Sequence, residues 1–321
     1  MIRTAECVSP MHPDKMCDRI SDTLLDLHLE QDPNSRVAIE TCGGMGEVYI
    51  TGEVTSNAVV TRETIVKVVH DITTDDTINV IININSQSPE IANGVDTGGA
   101  GDQGIMIGYA CRDNKEFLPQ EYFLSRELNK FVFDKYPYDG KTQVTMNGNS
   151  LRVVCSFQNA PGKELQKLVM EFFEDYSDYF IESLHCNPAG DWNIGGFTAD
   201  AGLTGRKLAV DNYGPRVPLG GGAFSGKDCT KVDRSAAYMA RNIAVDYLLS
   251  NPNNQEVLVR LAYAIGYDKP LEATVIVDGK QSIINAYDLR PQSIIKTLGL
   301  KSPIFSETAK WGHMGAGFSW K

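Results

Sequence analysis

The run Arg36-Val37-Ala38-Ile39-Glu40-Thr41-Cys42-Gly43-Gly44-Met45-Gly46-Glu47-Val48-Tyr49-Ile50-Thr51-Gly52-Glu53-Val54 reads as two strands, 36–41 and 47–54, joined by the turn-rich 42–46. Alternation puts Val37 and Ile39 on one face, with Ala38 and Glu40 on the other. In the second strand Val48 and Ile50 oppose Glu47, Tyr49, Thr51 and Glu53. A water-facing sheet surface is the ordinary explanation of such carboxylates. If that face is covered, Glu40 and Glu53 need cationic partners. A helix follows at 61–71, carried by Ile65 and Val69, and then a strand at 78–84.

The same order recurs downstream. A helix at 121–136 precedes strands at 141–146 and 151–157, a hairpin through Asn147-Gly148-Asn149, and a helix at 164–176. A third round has a helix at 232–249, strands at 256–264 and 271–277, and a helix near 292–298. Hairpin and helix recur three times without a letter-level repeat, which argues for three α+β units and against a doubly wound parallel sheet.

Composition narrows the function. The chain has 321 residues, 42% of them hydrophobic, enough for a large core and two or three subdomains. Lys and Arg number 30 against 41 Asp and Glu, a net charge of −11, which disfavours nucleic acid as a partner. No apolar run approaches membrane-spanning length, and residues 1–6 lack the apolar core of a signal peptide. The seven cysteines are odd in number and widely spaced, and no C-x-x-C occurs, so free thiols in a reducing cytoplasm are expected. The five histidines have no metal-ligand spacing.

Three stretches carry chemistry. Residues 220–237 begin with Gly220-Gly221-Gly222 and then place Lys227, Asp228, Lys231 and Asp233 within seven positions. Glycine backbone can approach a ligand and present N–H groups to an anion, lysines suit phosphate, and a neighbouring aspartate suits the metal that phosphate brings. Gly221 to Lys227 fits the opening of a P-loop. Asp228 stands where that loop needs Ser or Thr, and turn material with Pro215 and Pro218 precedes it, so a P-loop NTPase is disfavoured. Near the N-terminus, Pro13 favours the first helical position and puts His12 at the cap, with Asp14 and Lys15 following and Ile20, Leu24 and Leu27 as the apolar stripe. A helix N-terminus suits phosphate, although a plain capping turn has the same signature. The glycines of 94–104, between a strand and the apolar run 105–110, suggest a functional loop.

Taken together these pieces resemble one family, the S-adenosylmethionine synthetases (methionine adenosyltransferases). The resemblance runs through 6–15, 36–53, Gln87-Ser88-Pro89, Gly99-Ala100-Gly101-Asp102-Gln103-Gly104, Gly202-Leu203-Thr204-Gly205-Arg206-Lys207 and 220–238. It ends with Ser302-Pro303-Ile304, Glu307-Thr308 and Gly312-His313. It covers nearly the whole chain, and the hexapeptide around Asp102 and the glycine-rich run are its specific signatures.

The resemblance implies an α+β fold of three similar, interleaved domains of antiparallel or mixed sheet with helices on the outer face. Their approximate spans are 1–88, 99–195 and 197–321, with 89–104 a mobile active-site loop. It implies sulfur attack on C5′ of ATP, followed by hydrolysis of the tripolyphosphate. His12, Lys15, Lys141, Arg206, Lys207, Lys227 and Lys231 would form a positive cradle, with His12 also bonding the leaving oxygen; His12, Lys141, Arg206 and Lys231 are the catalytic set. Asp102, Trp192 (as the adenine stack), Asp200 and Ala223 complete the ATP site. Glu53, Gln87, Asp102, Asp200 and Lys231 would bind methionine. Asp14 and Asp233 would hold two Mg²⁺ ions, and Glu40 a K⁺. ATP and L-methionine are the implied partners, in a homodimer, or a dimer of dimers, with active sites at the subunit interface.

Two departures stand out. Only fourteen residues separate Gln87 from Asp102, and the middle segment is trimmed, which implies a less gated site with weaker methionine retention or product inhibition. Asp228 has no role in this scheme. The rival reading is a catalytically silent, nucleotide-binding regulatory relative, which should have lost some of His12, Asp14, Lys141, Lys231 or Asp233; all five are present.

Overall fold

The computed structural model describes residues 1–86, 98–315 and 317–321. Gln87 and the expectation about the short loop lie outside the described residues. The chain opens with β1 (Ile2–Val8) and helix α1 (Pro13–Gln31), capped by His12 with Pro13 in the first turn. The hairpin β2 (Arg36–Gly44) and β3 (Glu47–Thr55) pairs Ala38 with Glu53 and Glu40 with Thr51. Its strands run further than the sequence suggests, leaving a two-residue turn. Met45 and Gly46 there have φ of 52° and 83°, the doubly left-handed turn whose twist matches that of the strands. Helix α2 (Arg62–Thr73) crosses over to β4 (Asn79–Asn85), parallel to β3.

The second round follows the same plan. After β5 (Gly104–Cys111) and α3 (Gln120–Lys135), the hairpin β6 (Gly140–Asn147) and β7 (Ser150–Phe157) is followed by α4 (Gly162–Glu174) and by β8 (Phe180–Cys186), parallel to β7. The third round departs from it. Two-residue β9 (Gly202–Leu203) and the single turn α5 (Leu208–Asp211) come first. The long α6 (Val232–Ser250) then precedes β10 (Glu256–Tyr263), β11 (Glu272–Val277) and β12 (Lys280–Ile283). Helices α7 (Pro291–Leu298) and α8 (Phe305–Trp311) end the chain.

Among the described residues the strands form three four-stranded sheets, ordered β1-β6-β7-β8, β4-β3-β2-β9 and β12-β11-β10-β5. The first two are mixed and the third is wholly antiparallel. Each sheet takes one edge strand from another stretch of chain. β1 joins the central hairpin, β5 joins the C-terminal one, and β9 joins the N-terminal one. These three strands, with β8, β12, α5 and α8, are absent from the sequence reading, because edge strands are defined by distant partners more than by local pattern, and the two helices are only four and seven residues long. One continuous apolar core lies under the N- and C-terminal sheets, and a second lies between α3, α4 and the central sheet.

Val37, Ile39, Val48 and Ile50 are buried, as their alternation requires. On the opposite face Leu203, Cys42, Tyr49 and Ile81 stand in one cross-strand row, and Tyr49 is 46% exposed. Helix α6 crosses β5 so closely that a Cβ on Gly108 would stand 2.0 Å from the Ala240 carbonyl oxygen. Gly108→Ala should therefore cost about 3 kcal/mol or more. Urea unfolding measures this, and a loss below about 1 kcal/mol would mean that the helix can move aside.

Candidate active site

The N-terminus of α1 presents the first cluster. His12 is the N-cap, its Nδ1 accepting from the Asp14 amide at 3.2 Å, which leaves the proton on Nε2. Burial first, then the charge of Lys207, pushes the His12 imidazole down to about 4. A neutral ring cannot add to a positive cradle, so His12 is a hydrogen-bond donor at neutral pH. Asp14 is buried; its Oδ1 accepts from the Leu203 amide at 3.0 Å, and its carboxylate pairs with Lys207 and, at 3.6 Å, with Arg206. Burial alone would raise its pKa, but Lys207 and the amide together hold it below the usual range. Arg206 is 55% exposed, Lys141 is likewise open with Nζ 3.7 Å from Glu6, and both Lys141 and Asp200 act on the His12 ring. Trp192 is half-buried, its Nε1 donating to Asn187 Oδ1 at 3.3 Å. Beside its loop a cleft of about 300 Å³ opens between Met11, Tyr138, Gln158 and Phe197.

The glycine-rich stretch builds the second cluster. Lys231 caps α6, Asp233 sits in its first turn, and Lys227 reaches Asp233 Oδ2 at 2.7 Å. A Cβ on Gly104 would touch Asp233, so the stretch after Asp102 lies against this cluster; Asp102 itself is exposed and accepts from the Gln103 amide. Ala38 bridges to Lys227, which brings the outer face of β2 and β3, with Glu40 and Glu53, to the same place. Partial desolvation holds the Glu40 carboxyl above its usual range, with the charge of Lys227 opposing it only in part. The two clusters meet where Gly205 packs on Ala223, since a Cβ on Gly205 would stand 2.4 Å from that of Ala223.

One expectation is corrected. Lys15 is not part of a phosphate cradle: it is wholly buried, with Nζ 3.0 Å from Asp18 and 2.6 Å from Asp211. Burial alone would lower its pKa, but the two carboxylates more than offset it and keep the ammonium charged. Asp228 gains a role instead. Also fully buried, it accepts from the Val37 amide at 2.7 Å and the Thr230 amide at 2.8 Å and pairs with Lys231, tying β2 to the head of α6.

Sequence reasoning missed the residues beneath both clusters. Arg234 is wholly buried and uses all five N–H donors: two on Asp22 at 2.7 Å each, and one each on the Lys227 carbonyl, Tyr238 and Thr308. Asp14, Asp18, Asp22 and Asp26 recur every four residues on α1, all buried. Like charges at that spacing destabilise a solvated helix, so the run itself signalled buried partners.

Comparison with known proteins follows the same lines. Family models described as the N-terminal, central and C-terminal domains of S-adenosylmethionine synthetase match residues 1–89, 97–191 and 194–321. The chain is 40% identical to the S-adenosylmethionine synthase of Clostridium tetani, over 97% of this chain and 93% of that one. It is 39% identical to that of Pelagibacter ubique, over 99% and 95%. The first alignment has 371 positions against 321 residues here, so the relative carries insertions. A solved structure described as an unusual S-adenosylmethionine synthetase from Campylobacter jejuni superposes with a TM-score of 0.89 at 32% identity, covering 99% and 96% of the two chains.

Lys15→Met separates the two readings of Lys15. Stranding two buried carboxylates should cost about 3–5 kcal/mol of stability by urea unfolding. Unchanged stability with a raised KM for ATP would restore the phosphate contact.

Proposed function

The chain belongs to the S-adenosylmethionine synthetase family, and on that premise we propose how its residues carry the reaction. The activity is that of a methionine adenosyltransferase: ATP, L-methionine and water become S-adenosylmethionine, diphosphate and phosphate. The observation that supports the residue roles is the meeting of two lysine–carboxylate clusters beside a neutral histidine at a helix N-terminus.

The methionine sulfur attacks C5′ of ATP. An S–C5′ bond forms, the C5′–O bond breaks, and the electron pair leaves with the tripolyphosphate. A thioether needs no general base, so the chain's contribution is alignment and charge stabilisation. His12 donates its Nε2 proton as a hydrogen bond to the departing oxygen. Lys141, Arg206, Lys207, Lys227 and Lys231 take the charge that builds there. Glu53 and Asp102 hold the methionine ammonium, with Asp200 beside them and Trp192 as the adenine platform; Ala223 lets the backbone close on the nucleotide. Water then cleaves the tripolyphosphate in the same cradle.

Members of the family use metal ions. Asp14 and Asp233 fit Mg²⁺: each offers a hard carboxylate beside a lysine, and Mg²⁺ binds through one or two carboxylates plus substrate phosphates. Bound there, the ions would neutralise phosphate charge. Among the described residues no cluster of three or more His, Cys, Asp or Glu could hold a metal. Glu40, Thr51 and Asn83 stand side by side across β2, β3 and β4, an oxygen-bearing row suited to K⁺.

The cross-strand row of exposed Leu203, Tyr49 and Ile81 with half-buried Cys42 supports a homodimer joined through sheet faces, with each active site completed by the partner. All seven cysteines are free, which supports a cytoplasmic setting, and no helix of the described residues is long and apolar enough to cross a membrane.

Two experiments test this. Purified protein with ATP, methionine, Mg²⁺ and K⁺ should yield S-adenosylmethionine and both phosphate products, and Lys231→Met should lower kcat by about 100-fold or more; an unchanged rate rejects the cradle. Sedimentation should give about twice the 35.3 kDa chain mass, or four times it for a dimer of dimers, and Ile81→Arg should yield inactive monomers. A fully active monomer rules out the shared site.

A further inference from the structure

Helix α1 carries a device of which the reaction scheme uses only the first member, Asp14. Asp14, Asp18, Asp22 and Asp26 lie on one face, successive members about 6 Å apart along the axis. Each accepts at least one backbone amide, and together they hold three separate segments of chain. Asp14 takes Leu203 N at 3.0 Å, Asp18 takes Gly205 N at 2.8 Å, and Asp22 takes Gly226 N at 2.8 Å. Asp26 takes Phe305 N at 3.0 Å and Ser306 N at 2.8 Å. Gly205 immediately precedes Arg206, and Gly226 immediately precedes Lys227. Two neighbouring rungs therefore grip the chain one residue before a cation of each cluster.

The other oxygens of these rungs are also committed. Asp18 Oδ2 accepts from buried Lys15 at 3.0 Å, and Asp22 is paired twice with buried Arg234, which in turn holds the Lys227 carbonyl at 2.9 Å. Gly226 sits so close that a Cβ would stand 1.9 Å from the Ile39 carbonyl oxygen, so the loop has no room to shift. Thr204 Oγ1, accepting from the Thr41 amide and paired with Ser21 at 2.9 Å each, pins the first loop from the sheet side. Asp18 and Asp22 have no exposed surface and cannot touch a substrate.

We propose that Asp18 and Asp22 are positioning residues that register the two cationic loops, 203–207 and 226–234, on one rigid helix so that both face the same tripolyphosphate. The proposal rests on the transferase reading above. Spaced four residues apart, the rungs set the offset between Arg206 and Lys227. Asp26, on the same face, accepts from the Phe305 and Ser306 amides and from neither cationic loop, and serves as the internal control.

Asp18→Asn keeps the shape and replaces one accepting oxygen with an NH2 group that cannot accept from Lys15 or the Gly205 amide. It should weaken tripolyphosphate binding, measured by calorimetry without turnover, by about 10- to 100-fold. It should lower kcat per folded molecule by a similar factor, for S-adenosylmethionine formation and for hydrolysis of added tripolyphosphate, with KM for methionine within about threefold. Asp26→Asn should lower the melting temperature while tripolyphosphate affinity and kcat per folded molecule stay within about twofold. Thr204→Val, which loosens the same loop without touching a buried charge, should follow Asp18→Asn in a milder form, and it decides the question if Asp18→Asn does not fold. Wild-type tripolyphosphate affinity in the folded Asp18 variant, or in Thr204→Val should the Asp18 variant not fold, overturns the proposal, as does equal loss in the Asp18 and Asp26 variants. A wild-type protein that makes no S-adenosylmethionine would instead defeat the transferase reading, and the tripolyphosphate comparison would still decide this one.

Discussion

The bidentate ion pair between Asp22 and Arg234 is the constraint on which the rest of the structure depends. Both residues have no exposed surface, and all five guanidinium donors are used. Breaking such a pair by removing one partner costs about 3–5 kcal/mol, because the survivor is left charged and dry. Replacing both partners with well-packed apolar groups is often neutral or stabilising. A buried pair kept at that risk is better understood as specifying one geometry. Here it joins the first long helix to the head of α6, 212 residues further along the chain.

The same logic extends along α1. Its buried aspartates exchange water for backbone amides and cations, and each exchange fixes the position of a loop. Charge is layered beneath the site. Lys15 is sealed between Asp18 and Asp211, while Arg206 and Lys141 are open to solvent and Lys207 and Lys227 are partly so. Preorganised cations of this kind stabilise charge that develops during reaction without reorganising for it.

Strand exchange gives the fold its coherence. Each sheet is completed by a strand from another stretch, so no third of the chain has a complete sheet without the others. The exchanged strands also lead into the proposed site. β1 ends four residues before His12, β9 leads into Arg206 and Lys207, and β5 follows Asp102. Residues far apart in sequence are thus delivered to one place by the sheet ladders.

The sequence by itself determined the local elements and the chemical inventory. Alternation in 36–54 fixed which face of the hairpin is buried, since Val37, Ile39, Val48 and Ile50 can leave water only on one side. Pro13 placed the start of α1 and His12 at its cap, and the family resemblance was legible in the motifs around Asp102 and 220–238. Tertiary structure alone decided what those groups do. Lys15 and Lys227 are both lysines that follow a proline- or glycine-marked stretch, yet one is wholly buried between two carboxylates and the other is partly exposed beside Asp233. Asp228 became an anchor for β2 only because Val37 N lies 2.7 Å away. The physical reason is burial. A charge's partner, its pKa and its availability to a ligand depend on which distant groups exclude water from it, and local sequence does not encode those groups.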